Sequence, residues 1–198
     1  MTIDNPVEIC DICGCMYVPS ELGDKEFHTK IHDDVVNGIR INITVKDQII
    51  IKEQDTCLLL IDSKSTNSQV DRLQKLSRYV SLSVSRDALF SYHFNPSYPL
   101  DSKYKFFLLC FKNRAIGYLD IQYVSKGLNE PIWLIKMIWL AVSHRRKKLA
   151  KFMIESSLNH LGESLSSVGW EAPFSEMGLK FVKSLCPNGY RVFQTRYG

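Results

Sequence analysis

Hydrophobic and polar positions alternate along this chain with two periods. From Ile39 to Asp62 the period is two. The segments IRINITV, QIIIKE and TCLLLID are separated by polar turns at Lys46–Asp47 and Gln54–Asp55. That alternation predicts a meander of antiparallel strands. Ser63–Ser68 is polar and reads as a loop ending in a helix cap. Val70, Leu73, Leu76 and Val80 then recur at helical spacing and predict a helix of about 16 residues. Residues 81–103, with Pro96 and Pro99, read as helix fragment and loop. Tyr104–Phe111 and Ala115–Val124 are strands joined by a turn at Lys112–Asn113–Arg114, and Ser125–Glu130 is a loop.

The next stretch changes character twice. Ile132 to Val142 is apolar except for Lys136. The chain turns at Ser143–His144 into Arg145–Arg146–Lys147–Lys148, then continues to about Leu161 as a helix with Leu149, Phe152 and Met153 on one face. This is a buried strand, a tight turn and a helix with a cationic first turn. A helix N-terminus presents unpaired N–H groups and a partial positive charge, so the unit predicts a pyrophosphate cradle. A solvated helix start or a nucleic-acid patch is the other reading of the basic run. Leu165–Trp170 reads as a short strand, Met177–Leu185 as a helix and Tyr190–Thr195 as a closing strand. The order predicts an α+β fold with a mostly antiparallel sheet and one strand–cradle–helix unit, the layout of GNAT acetyltransferases.

Upstream of residue 39 the pattern gives way to metal-ligand spacing. Cys10-x2-Cys13 is followed, after fourteen residues, by His28-x3-His32. Two thiolates on a knuckle and two imidazoles one helical turn apart can converge on a tetrahedral zinc. Asp24–Asp34 reads as a short helix that puts both histidines on one face. Met16, Tyr17 and Phe27 are the expected apolar cap, and Cys15 a spare, packed or surface thiol. Chance cysteines and surface histidines are the plain alternative. The boundaries expected are 8–38 for a C2H2-type zinc finger and 39–198 for the second domain.

Composition narrows the picture. The chain has 198 residues, 45% hydrophobic and 23% charged, as globular proteins do. Residues 8–37 hold seven acids against two bases, so this module carries −5 and the rest of the chain +9. Glu21, Asp24, Glu26, Asp33 and Asp34 would face phosphate from the finger helix, which argues against direct nucleic-acid binding. No stretch has the length of a membrane span, and MTIDNPVEIC lacks the basic and apolar regions of a signal peptide. Six cysteines in such a chain are read as thiols or metal ligands.

The finger spacing, the segment NGIRINITV after it and the cradle RRKKLAKFMIE together resemble the sister-chromatid cohesion acetyltransferase family, a C2H2 finger fused to a GNAT domain. The resemblance runs from Cys10 to about Phe193. It implies an acetyl-CoA-dependent N-acetyltransferase whose acceptor is a protein lysine, on a cohesin subunit, in the nucleus; a prokaryotic relative would be cytoplasmic. It places Ile138, Trp139 and Leu140 on the strand that pairs with the pantetheine arm. It places Arg146 to Lys151 (Arg146, Lys147, Lys148, Leu149, Ala150, Lys151) in the pyrophosphate loop. Ser175, Glu176 and Met177 stand at a further acetyl-CoA contact. Of the GNAT cradle Arg/Gln-x-x-Gly-x-Gly/Ala, Arg145 and Ala150 fit the ends, and Lys148 stands where the middle glycine does. The family's long N-terminal extension has no counterpart in the nine residues before Cys10, so recruitment is expected to differ or to be lost.

Two family features are replaced. A Ser shortly before the Ile-Trp motif gives way to Lys136–Met137, and a Ser-Asp-Pro gives way to GWEAPFSEMG, where Pro173 has no Asp beside it. Acetyl transfer to an amine needs a base for the ammonium, a polarised thioester carbonyl and a stabilised thiolate. Glu171, at the end of a strand flanking the cleft, is the candidate base; a surface carboxylate beside a turn is its other reading. Glu176 reads as a helix-start charge, Tyr190 as a core residue able to reach a thiolate, and Trp139 and Trp170 as wall and core. His93, His144 and His160 form no cluster, and Cys57 and Cys110 read as packed. The departures leave a second expectation open, a GNAT-fold module that binds CoA or a partner without turnover. A zinc-finger nucleic-acid-binding protein is a third.

Overall fold

The computed structural model describes residues 6–88, 96–125 and 130–194, and the side chains of all of these except 85–88. His93, Thr195 and residues 126–129 of the expected loop lie outside the described residues. The N-terminal module consists of a small hairpin, β1 (Glu8–Ile9) and β2 (Met16–Tyr17), and the helix α1 (Leu22–Asn37). The helix is longer than the sequence suggests and ends at Gly38, whose φ of 87° suits glycine.

The body follows as β3 (Ile39–Arg40), β4 (Gln48–Glu53), β5 (Thr56–Ile61), α2 (Asn67–Ala88), β6 (Tyr104–Phe111), β7 (Arg114–Val124) and β8 (Ile132–Leu140). A short 3-10 turn, Val142–His144, leads to α3 (Leu149–Leu161), β9 (Gly169–Glu171), α4 (Glu176–Leu185) and β10 (Arg191–Phe193). The strands form one sheet in the order β10-β9-β8-β7-β6-β5-β4, with β3 paired to β7. Pairing is antiparallel from β4 to β8 and parallel from β8 through β9 to β10. Successive strand side chains point to opposite faces, yet Phe106 to Cys110 are all buried, so both faces of the sheet centre are covered. Val70, Leu73, Leu76 and Val80 of α2 and Met153, Ile154 and Leu158 of α3 belong to that core.

Besides α1, three elements and one expected apolar cap differ from their sequence reading. The segment IRINITV is a strand only at Ile39–Arg40 and pairs with β7. The Ile41 N–H donates to Asn113 O at 2.9 Å and Asp47 caps the Thr44 turn, so the meander begins at β4. Helix α2 runs 22 residues, beyond the predicted 16, and Ser83 and Val84 carry its buried face one turn past Val80. The strand expected at Leu165 starts at Gly169, because Ser164–Ser167 closes on itself in hydroxyl-bonded turns. Met16 and Phe27, expected as an apolar cap, are 67% and 59% exposed; Cys13, Cys15, Ile31 and Val35 form the module's core instead.

The module is tied to the body beside the strand–turn–helix unit. Arg114 donates to Gly38 O at 2.6 Å and pairs with Asp33 at 2.9 Å. The Ser143 hydroxyl donates to Val36 O at 2.8 Å, and Val142 packs on the module's small core. A Cβ on Gly38 would lie 2.7 Å from Ala115 O, so the junction admits only glycine without a shift.

Candidate functional site

The site begins where two neighbouring strands part. β9 is in register with β8 only at Leu134–Gly169 and Ile135–Trp170. β8 continues to Leu140 while β9 ends at Glu171, so among the described residues the β8 edge beyond Ile135 has no strand partner on that side. A cleft of about 450 Å³ opens there, walled by Lys136 to Leu140, by Trp170 and Glu171, by Ser83 and Val84 of α2 and by residues of α4. An unpaired strand edge offers N–H and C=O groups to any extended chain with amides of its own.

Lys136 sits at a bulge in β8. Asp120 is opposite Met137 and Ile121 is opposite Ile135, which leaves Lys136 as the extra residue. Bulges re-aim side chains. Here the Lys136 ammonium meets Glu171 Oε1 at 2.5 Å, with the two side chains only 10% and 7% exposed. Burial lifts the Glu171 carboxyl above the usual carboxylate range, and the Lys136 charge pulls it part of the way back. The surface-carboxylate reading of Glu171 is overturned: it is a buried acid facing a cleft. The lone charge in the apolar run, Lys136, is the sequence signal that could have located its partner.

The turn beyond β8 is held from several sides. Arg145 Nε donates to Leu140 O at 3.0 Å, and its guanidinium reaches Ser83 Oγ at 3.3 Å. Arg146 and Lys148 have φ of 60° and 61°, the left-handed region. Each costs a non-glycine residue about 1–2 kcal/mol, so the surrounding packing imposes the turn. Lys148 stands where the GNAT cradle has glycine, and it adopts the conformation that glycine favours. It is also the first boundary residue of α3 and makes no side-chain cap, which leaves the helix's opening N–H groups available to an anion.

Of the residues expected at the site, Ile138, Trp139, Leu140, Arg145, Arg146, Ala150, Ser175, Met177 and Glu171 line this cleft. Lys147, Lys148, Leu149 and Lys151 stand in the turn and the first helical turn beside it; Lys151 is 3.7 Å from Glu155. Ser175 caps α4 by accepting the Gly178 N–H at 3.0 Å. Glu176 points to solvent, 81% exposed, and pairs with Lys180. Tyr190 packs edge-on against Phe174. Trp170 is core, and Cys57 and Cys110 are buried opposite each other on β5 and β6. Sequence reasoning missed the contribution of α2, since no motif marks Ser83 and Val84. Trp139 lines the wall, and its indole N–H is buried without a hydrogen-bond partner among the described residues. Open strand edge and uncapped cationic helix start together fit an extended amide-bearing arm that ends in a diphosphate, the chemistry of acetyl-CoA.

The second group lies in the N-terminal module. Cys10, Cys13, His28 and His32 bring one ligand atom each to within 4.8 Å of one another. Cys10 Sγ is 3.3 Å from His32 Nδ1. His28 Nε2 is buried without a hydrogen-bond partner, and Tyr17 stacks on the His28 ring at 3.9 Å. Burial raises the Cys10 thiol, but the N–H groups of Cys13 and Ile12 and both imidazoles bring it down to about 6. Burial and the neighbouring thiols push Cys13 up to about 11. Two sulfurs and two ring nitrogens at this spacing are compatible with a tetrahedral zinc finger. Among the described residues, no helix is long and apolar enough to cross a membrane.

No protein-family model matches the chain, and no curated protein matches it in sequence. Solved structures do. The xEco2 acetyltransferase domain superposes with a TM-score of 0.60 at 15% identity, over 78% of this chain and 99% of that one. The same domain bound to a K105-CoA conjugate gives 0.59 at 14%, over 76% and 99%. The aminoglycoside acetyltransferase meta-AAC0020, from an uncultured soil metagenomic sample and in complex with trehalose, gives 0.53 at 15%, over 74% and 97%. At such identities the likeness is one of fold. The chain has the mixed α+β fold of GNAT acetyltransferases, preceded by a Cys/His group compatible with a zinc finger.

Proposed function

We propose that this chain is an acetyl-CoA-dependent N-acetyltransferase that acts on a lysine side chain of a protein, with a structural zinc in its N-terminal module. The observation that carries the reading is the buried Lys136–Glu171 pair at the point where β8 and β9 part, in line with the turn into α3. The β8 edge from Met137 to Leu140 would hold the pantetheine amides, and Arg145, Arg146 and the α3 start the diphosphate. On that arrangement the thioester would lie near the β8 bulge.

Glu171 takes a proton from the incoming ammonium. The freed amine attacks the thioester carbonyl, the C–S bond breaks, and the thiolate leaves as CoA after taking up a proton. Lys136 offsets negative charge on the carboxylate and on the departing sulfur. Cys10, Cys13, His28 and His32 would hold the zinc, which supplies a cross-link between hairpin and helix. The acceptor reading draws on the resemblance, which points to a cohesin subunit and the nucleus, and on the lysine–CoA conjugate seen with the xEco2 domain. The 2.5 Å ion pair favours a second reading, in which Lys136 occupies the base and the chain binds CoA without turnover. CoA release in the presence of lysine-containing peptides separates the two. Turnover that Glu171→Gln abolishes supports the enzyme; tight CoA binding with no release supports the binding module.

A further inference from the structure

A second hollow, of about 840 Å³, lies between α1 and α2 on the seam between the module and the body. Four cations line it: Lys30 of α1, Arg40 of β3, and Lys75 and Arg78 of α2. None of the four makes an ion pair among the described residues. The two acids in the wall are already engaged, Asp33 by Arg114 at 2.9 Å and Asp34 by the Tyr79 hydroxyl, whose pKa it helps to raise to about 12 after burial. Asp33 also feels the Arg40 charge, but four cations against two acids leave the hollow an excess of positive charge, and that repulsion is a cost that an anionic partner removes. The hollow is also apolar, with Phe27 59% and Leu82 42% exposed at its walls. A neighbouring hollow of about 690 Å³ shares Ile39, Arg40 and Lys75 and extends the basic character to Lys46.

We propose that this groove docks an acidic protein segment carrying apolar anchor residues. Exposed aromatic and aliphatic walls flanked by unpaired cations match such a segment, laid in as an amphipathic strip. A nucleic acid fits less well, because Asp33 and Asp34 interrupt the cationic track that a phosphate backbone needs. Helix α2 connects the groove to the cleft: Leu82 faces the groove, and Ser83 and Val84 line the cleft. On the acetyltransferase reading, which this step extends, the segment belongs to the acceptor protein and delivers its lysine around α2.

The probe is a fluorescein-labelled peptide of alternating Glu and Leu, compared with a Lys/Leu counterpart and a labelled DNA duplex, all by anisotropy with the full chain. The Glu/Leu peptide binds in a salt-sensitive manner. The double variant Lys75→Glu/Arg78→Glu loses at least ~10-fold in affinity, while CoA binding is unchanged. Leu82→Ser, at an exposed site, loses less. Equal affinity for native and charge-reversed protein overturns the proposal, and so does DNA binding through Lys75 and Arg78. A lysine peptide joined to the Glu/Leu segment is acetylated with a lower KM than the lysine peptide alone, and the advantage disappears in the double variant. If the Glu/Leu peptide binds as described but no lysine peptide is acetylated, the groove stands and the catalytic reading falls.

Discussion

The Cys/His module and the β8–β9 cleft are stabilised in different ways. The module's core is Cys13, Cys15, Ile31 and Val35, so half of it is thiol, and one of those thiols belongs to the Cys/His group that could hold a metal. The cleft hangs on a sheet with whole buried segments, Leu58–Ile61 on β5 and Phe106–Cys110 on β6. A module of about thirty residues with so small a core needs a further cross-link, the part that the proposed zinc would play. The sheet can carry irregularities: a bulge at Lys136, an unpaired edge, and two left-handed residues at Arg146 and Lys148. Irregular features gather where a rigid scaffold can impose them, which supports the proposal that the cleft is the working part of the molecule.

The largest effect should follow metal removal. Structural zinc in small modules is worth about 10–16 kcal/mol of binding energy, so chelation or Cys13→Ser should unfold residues 8–38. Hydrogen exchange should show loss of protection in α1 with β5 to β8 still protected; joint unfolding of both would erase the contrast. Affinity for CoA, read by calorimetry, should fall several-fold because Val36 O no longer braces Ser143. Metal analysis of the native protein should find zinc.

Next comes Glu171→Gln, which should lower kcat by about 10²-fold or more with little change in CoA affinity. Lys136→Met should be milder and informative in its sign. Glu171 must be ionised to act as a base, so the rate climbs as pH rises through its raised pKa. Removing the one cause that lowers that pKa should move the acid limb of kcat/KM to higher pH, and Lys136→Arg should keep it near its native position. The same carboxyl contributes to folding with the opposite dependence. A raised acid stabilises the folded state below its unfolded pKa, and that contribution disappears as pH rises through the folded value.

Smaller again is Lys148→Gly, which relieves a left-handed residue and should stabilise the fold by about 1 kcal/mol in denaturant titration. It should weaken CoA binding by removing a cation next to the diphosphate site. Glu176→Gln should change stability by less than about 0.5 kcal/mol, since its pair with Lys180 is exposed. A large loss there would mean that α4 has a role in the site beyond lining it.

The convergence of Cys10, Cys13, His28 and His32 was readable because their identity and spacing suffice, whatever surrounds them. The strand–turn–helix unit was readable because its apolar period changes abruptly at Ser143. The fate of IRINITV was not readable: its alternation fits a strand, and only the tertiary bond from Ile41 N–H to Asn113 O shows where it ends. The Lys136–Glu171 pair joins residues 35 apart in sequence through a parallel pairing that no local pattern encodes. Ser83 and Val84 lay hidden for the same reason, on a helix whose own periodicity reports only its core face. Glu176, expected with Ser175 and Met177, faces solvent, because the helical rotation within α4's first turn separates neighbours in sequence.

The most direct test of the central claim is steady-state CoA release with a lysine peptide, native protein against Glu171→Gln, with CoA affinity measured alongside. The account predicts turnover by the native protein and a loss of about 10²-fold or more in the variant at unchanged CoA affinity. Equal turnover in both would contradict the role given to Glu171, and CoA bound without any release would contradict acetyl transfer itself.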